Sequence, residues 1–134
     1  MAKILIVDDE PVCRESTRLL LSFQGFDVRT AAGSRDAYQV ALAFVPDVLI
    51  VDWILRDALD GLEIAETLRT TVNPDLRTIL ITGYPSADLE TRAKAFPSLQ
   101  YLTKPVEPAD LLSAAGKAAA GCGGYRSPIP PGEG

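Results

Sequence analysis

Residues able to do metal and phosphorus chemistry fall just past apolar runs. Asp8 and Asp9 follow Ile4-Leu5-Ile6-Val7, Asp52 follows Val48-Leu49-Ile50-Val51, Thr82 follows Ile79-Leu80-Ile81, and Lys104 follows a run from Leu99 to Thr103. Taken singly, each has a bland explanation. An acidic residue past a strand is usually a turn former or helix cap, a lysine there a surface charge, and a threonine a β-branched strand residue. Asp52 resists that explanation, because it stands between Val51 and Trp53 with no turn chemistry nearby that needs a carboxylate. Were the carboxylates to converge, their repulsion would raise their proton affinities unless a cation compensated them, and hard oxygen ligands with room for water suit Mg²⁺. Beside such a metal, a carboxylate oxygen can attack phosphorus while an ammonium neutralises the phosphoryl oxygens. Asp52 and Lys104 fit those roles. The Thr82 hydroxyl and the uncrowded backbone N–H of Gly83 can hydrogen-bond a bound phosphoryl group.

Those residues do chemistry together only if the fold gathers them. The runs Ile4–Val7, Val48–Val51 and Ile79–Ile81 lack period-two alternation and are short and β-branched, as expected of strands buried on both faces. Phe26 to Thr30 reads as a further strand, and Leu99 to Thr103 as the last. Helical patterns lie between them. Pro11 opens the first, with Val12, Leu19, Leu20 and Phe23 near helical spacing and Gly25 as its stop. Ser34 is expected to cap the second, whose Ala37, Val40, Ala41 and Phe44 share a face before Pro46. Asp60-Gly61 opens a third with Leu62, Ala65 and Leu68 inward, and Ser86 caps a fourth carrying Leu89, Ala93 and Phe96. Pro108 starts the fifth, with Leu111, Leu112, Ala115 and Ala119, which fades before Gly121. Five strands alternating with five helices imply right-handed crossovers and an α/β doubly wound parallel sheet. All strands then point one way, so Asp8, Asp9, Asp52, Thr82 and Lys104 emerge on one edge.

Composition narrows the alternatives. A chain of 134 residues with 47% hydrophobic content can build one core without disulfides or structural metal. Its formal charge of −5, with Lys and Arg scattered, argues against direct nucleic-acid binding. The apolar stretch at the start is too short for a signal peptide or a membrane span, so a cytoplasmic protein is expected. Cys13 and Cys122 form no C-x-x-C, and the absence of histidine removes a zinc site, a Cys-His dyad and a Ser-His-Asp triad.

The segments Ile6-Val7-Asp8-Asp9-Glu10-Pro11, Val51-Asp52, Asp60-Gly61, Ile81-Thr82-Gly83 and Tyr101-Leu102-Thr103-Lys104-Pro105 occur in the order of the two-component response regulator receiver family, which the chain resembles from about Lys3 to Ala120. The resemblance is to the chemotaxis-type single-domain receivers. It implies a flavodoxin-like sheet in strand order 2-1-3-4-5 with five helices, the order that chemotaxis receivers have. It makes Asp52 the phosphoacceptor, Asp9 a direct Mg²⁺ ligand, Asp8 a water-mediated one and the Ile54 backbone carbonyl a further ligand, with Mn²⁺ able to substitute. It assigns Thr82 and Lys104 to the phosphoryl group, Tyr101 to the switch aromatic that turns inward, and a cis bond to Lys104-Pro105. The loop from Trp53 to Gly61 lacks the family's common proline and is one residue longer than its commonest form. Ile54 and Tyr84, at positions that tune loss of the phosphoryl group, offer no carboxylate or amide to orient water, so slow autodephosphorylation is expected alongside self-catalysed phosphorylation.

The resemblance also implies the partners: a sensor histidine kinase or histidine phosphotransfer protein as donor, and a downstream protein at the helix 4, strand 5, helix 5 face, with no membrane insertion. Two other functions compete. A degenerate receiver acting as a phosphorylation-independent binding module is opposed by the intact acidic pair with Asp52, Thr82 and Lys104. An aspartate-nucleophile phosphohydrolase would show Asp-x-Asp on a first strand and a cap domain. Residues 1–120 are expected to form the receiver and 121–134, rich in Gly and Pro, a tail or the start of a linker. Met1 directly before the first strand favours a natural start, either of a stand-alone regulator or of a longer protein with an N-terminal receiver.

Overall fold

The computed structural model describes residues 2–53, 55, 59–83, 86–96 and 99–120. Strands and helices alternate along it: β1 (Lys3–Val7), α1 (Pro11–Phe23), β2 (Asp27–Ala31), α2 (Ser34–Phe44), β3 (Val48–Asp52), α3 (Gly61–Thr71), β4 (Arg77–Thr82), α4 (Ala87–Lys94), β5 (Leu99–Thr103) and α5 (Pro108–Ala119). The strands form one parallel sheet in the order β2-β1-β3-β4-β5. The expected flavodoxin-like topology is thus present. The chain moves outward from β1 to β2 and then returns across β1 to β3, and this reversal opens a crevice beyond the carboxyl ends of β1 and β3.

The apolar runs lack alternation because both faces of each strand are covered. Leu5, Val7, Leu49, Val51 and Leu80 point into one cluster with buried residues of α2, α3 and α4. Their neighbours Ile4, Ile6, Val48, Ile50 and Ile79 point into the other, with Leu21 of α1 and Leu111, Ala114, Ala115 and Ala118 of α5. Period-two geometry sends adjacent side chains to opposite faces, and each fully buried aliphatic side chain contributes about 2 kcal/mol.

Local details differ from the sequence expectation in places. Gly33, with no side-chain hydrogen bond, is the N-cap of α2, and Ser34 is already its first helical residue. On α1 the buried residue is Leu21, whereas Val12, Leu19 and Phe23 are exposed. β2 runs one residue later than read, because Asp27 pairs with Lys3 and donates its N–H to the Ala2 carbonyl at 3.2 Å. The caps at Asp60 and Ser86 are as expected: Asp60 accepts from the Glu63 N–H within a capping box, and Ser86 accepts from Leu89. The helix pattern ending before Pro46 does so through Val45, whose φ of 49° is costly for a β-branched residue by about 1–2 kcal/mol.

Candidate functional site

Register brings the sequence-predicted residues to one edge. Asp52 ends β3 beside Ile81 of β4, and Thr82 ends β4 beside Thr103 of β5. Two backbone hydrogen bonds extend these ladders: Trp53 N–H donates to Ile81 at 2.7 Å, and Lys104 N–H donates to Thr82 at 2.7 Å. Asp52 and Thr82 are buried at 9% and 1% exposure, unlike solvated strand-end residues. From the next strand but one, the Lys104 ammonium donates to Asp52 Oδ2 at 2.6 Å. The Lys104-Pro105 peptide bond is cis.

Gly61 makes this edge sterically possible. Its N–H donates to the Trp53 carbonyl at 3.1 Å, and a Cβ at this position would lie 2.4 Å from the Asp52 backbone oxygen. Only a residue without a side chain lets α3 start so close behind Asp52.

Charge at the edge is only partly balanced. Burial alone would favour a neutral Lys104 amine, but the hydrogen bond to Asp52, its charge and that of Asp8 hold the ammonium above its ordinary range. The Asp8 carboxyl is pushed up, first by burial and then by the charges of Asp52 and Asp9, against the lowering effects of the Glu10 N–H and Lys104. Asp8 Oδ1 accepts that Glu10 N–H at 2.9 Å, and the Asp8 carbonyl accepts from Arg14 Nη1 at 2.9 Å.

These residues fit a hydrated magnesium ion better than an all-protein cage. Among the described residues, no group of three or more acidic side chains is placed to hold a metal ion as they stand. Mg²⁺ keeps several waters and takes only one or two carboxylates, and a divalent cation would offset both the burial of Asp8 and its repulsion by Asp52 and Asp9. A cavity of about 30 Å³ adjoins Asp8, Thr17, Asp52 and Lys104, roughly the space of two waters. Ile54 and Tyr84 lie outside the described residues, as does the 121–134 segment.

On the solvent side, Asp8, Gly83 and Lys104 stand at one end of a groove of about 720 Å³ between α1 and α5, bordered by Cys13, Val106 and Leu111. Tyr101 is only 3% exposed and packs in the cluster that includes Leu89 and Ala93 of α4. Its hydroxyl is buried with no hydrogen-bond partner among the described residues, and burial, then the Glu90 charge, raises its pKa.

Sequence reasoning missed one group at this edge. Arg92 of α4 binds the Asp60 carboxylate and lies over the Trp53 ring. Asp60 and Arg92 are 32 positions apart, and no motif pairs them.

Comparison with known proteins agrees with this arrangement. A family model described as the response regulator receiver domain matches residues 4–116. "Response regulator MprA" of Mycolicibacterium vanbaalenii is 34% identical over 111 residues, covering 83% of this chain and 47% of that protein. "Phosphate regulon transcriptional regulatory protein PhoB" of Pseudomonas aeruginosa is 31% identical over 111 residues, covering 82% of this chain and 48% of its own length. The chain thus spans about half the length of the curated relatives it matches. Among solved structures, a CheY-like receiver domain protein of Methanospirillum hungatei aligns with a TM-score of 0.81 at 28% identity, covering 90% of this chain and 94% of the other. Chemotaxis protein CheY4 of Vibrio cholerae aligns at 0.80 and 28% identity, covering 88% and 98%.

Proposed function

Since this chain belongs to the response regulator receiver domain family of two-component systems, we propose that it is a phosphorylation switch whose phosphoacceptor is Asp52. Receiver domains generally bind Mg²⁺ at their acidic pocket and take their phosphoryl group from histidine kinases. The observation that carries the assignment is the Lys104 ammonium, 2.6 Å from Asp52 Oδ2. It lies within reach of an oxygen of any phosphoryl group joined to that carboxylate.

In the proposed reaction an Asp52 carboxylate oxygen forms a bond to phosphorus as the phosphorus–nitrogen bond of a donor phosphohistidine breaks, and the leaving imidazole keeps the electron pair. Lys104 neutralises a phosphoryl oxygen, and the Thr82 hydroxyl and Gly83 N–H donate to others. Mg²⁺, held by Asp9 and Asp52 with the Ile54 carbonyl, and by Asp8 through water, would supply further charge neutralisation. Mn²⁺ would replace it. Slow hydrolysis is part of this proposal, because Ile54 and Tyr84 bring no carboxylate or amide to orient an attacking water.

The switch face is α4, β5 and α5, where Tyr101 packs, and a downstream protein binds there. Residues 1–120 form the signalling unit and 121–134 a tail or linker start. Among the described residues no helix is long and apolar enough to cross a membrane.

The test is incubation with acetyl phosphate and Mg²⁺ followed by intact mass. The unaltered chain should gain one phosphoryl group and Asp52→Asn none. An unaltered chain that binds metal yet gains no mass would overturn the assignment and favour a phosphorylation-independent binding module.

A further inference from the structure

The phosphoacceptor assignment leaves Arg92 of α4 without a role, although it engages two groups of the connection beside the site. Its Nη1 donates to Asp60 Oδ2 at 2.9 Å and its Nη2 to Asp60 Oδ1 at 3.4 Å, while its Cζ lies 5.0 Å from the centroid of the Trp53 ring. Both partners belong to the connection leaving β3. Trp53 directly follows Asp52 and packs on the core cluster of the α3 and α4 side. Asp60 is the N-cap of α3, accepting the Glu63 N–H at 2.9 Å while the Glu63 carboxylate accepts the Asp60 N–H at 3.0 Å. One guanidinium therefore ties α4 to both ends of the loop that begins at the phosphoacceptor.

An isolated surface ion pair would be a weak tie. This one is half-buried, two-pointed and stacked, and a planar guanidinium is the cation able to make both contacts at once. Burial would raise the Asp60 carboxyl, but Arg92 and the Glu63 backbone outweigh it and hold it below its ordinary value. The same contacts raise Arg92.

We infer that Arg92 is a positioning residue, a latch through which rearrangement at Asp52 is carried to α4 by way of Trp53 and Asp60. The inference rests on Asp52 being the phosphoacceptor. Trp53 shares a peptide bond with Asp52, and its rigid ring moves with that peptide. A guanidinium resting on the ring and gripping the α3 cap cannot stay in register if the loop shifts, so α4 shifts with it. Linkage makes the effect reciprocal: a partner that holds α4 biases the loop, and with it the readiness of Asp52 to keep a phosphoryl group.

The test is hydrogen exchange of α4 amides before and after treatment with acetyl phosphate and Mg²⁺, with intact mass measured in parallel, for the unaltered chain, Arg92→Ala, Arg92→Lys and Asp60→Asn. Asparagine still caps a helix, so Asp60→Asn removes the ion pair while preserving α3. Phosphorylation of the unaltered chain should change α4 exchange by about fivefold, the low end of ordinary coupling between two sites. Arg92→Ala and Asp60→Asn should still gain the phosphoryl mass but lose most of that change, and Arg92→Lys should restore part of it, because its ammonium can pair with Asp60 but offers no flat face to the ring. Arg92→Ala that is phosphorylated and shows the full α4 response would overturn the latch while leaving the phosphoacceptor intact. An unaltered chain that gains no mass would overturn the phosphoacceptor, and the latch as a signalling route with it.

Discussion

The Lys104 ammonium and the Asp52 carboxylate meet at 2.6 Å across 52 positions of sequence. Lys104→Ala should therefore slow phosphoryl gain from acetyl phosphate by about a hundredfold, the scale of losing one charge-stabilising donor. The Lys104 side chain is 48% exposed, so solvent screens the pair and folding stability should change by less than about 1 kcal/mol. Intact-mass time courses and urea titration separate the two effects.

Gly61 and Gly116 should answer alanine in opposite ways. At Gly61 a Cβ would lie 2.4 Å from the Asp52 backbone oxygen, an atom that cannot swing aside, so Gly61→Ala should destabilise the fold by about 1–3 kcal/mol. At Gly116, within α5, a Cβ meets nothing within 4 Å, and Gly116→Ala should stabilise by about 0.5–1 kcal/mol. Urea midpoints check both.

The Asp60–Arg92 pair should give stability a defined pH dependence. Against the raising effect of burial, the Arg92 guanidinium and the Glu63 N–H hold the folded Asp60 carboxyl below its ordinary range, so the unfolded chain takes up the proton first as pH falls. The contribution is fully present above the unfolded value and disappears as pH drops through the folded one. Thermal melts from pH 6 to 3 should show a shallower loss for Asp60→Asn than for the unaltered chain. Equal slopes would mean that the pair adds nothing to folding.

Tyr101→Phe removes a buried hydroxyl that has no partner among the described residues. Because a hydroxyl buried without a partner gives up its hydration uncompensated, the substitution should be neutral or stabilising by about 1 kcal/mol. A clear destabilisation in urea would show that the hydroxyl is satisfied in solution.

Much of the fold was legible because burial on both faces leaves a simple trace. Continuous apolar runs at Ile4–Val7 and Val48–Val51 mark central strands, and Asp60 and Ser86 announce helix starts by their cap chemistry. The face of α1 was not legible. Val12, Leu19 and Phe23 share a stripe as convincing as the one containing Leu21, and periodicity cannot tell which of two apolar stripes the sheet will cover. The α2 cap was misread for a related reason, since Gly33 and Ser34 both suit a helix start and only the path from β2 selects between them.

By itself the sequence determined the elements, their alternation and the chemical types at the strand ends, because those depend on local propensity and on the burial period of each segment. Tertiary structure alone decided what touches what. Strand order placed β3 two positions from β5, allowing Lys104 to reach Asp52. The close approach of α3 demanded glycine at 61, and α4 brought Arg92 onto Trp53 and Asp60. Contacts between residues far apart in the chain follow from how the layers pack, and packing is a property of the whole chain that no single segment carries.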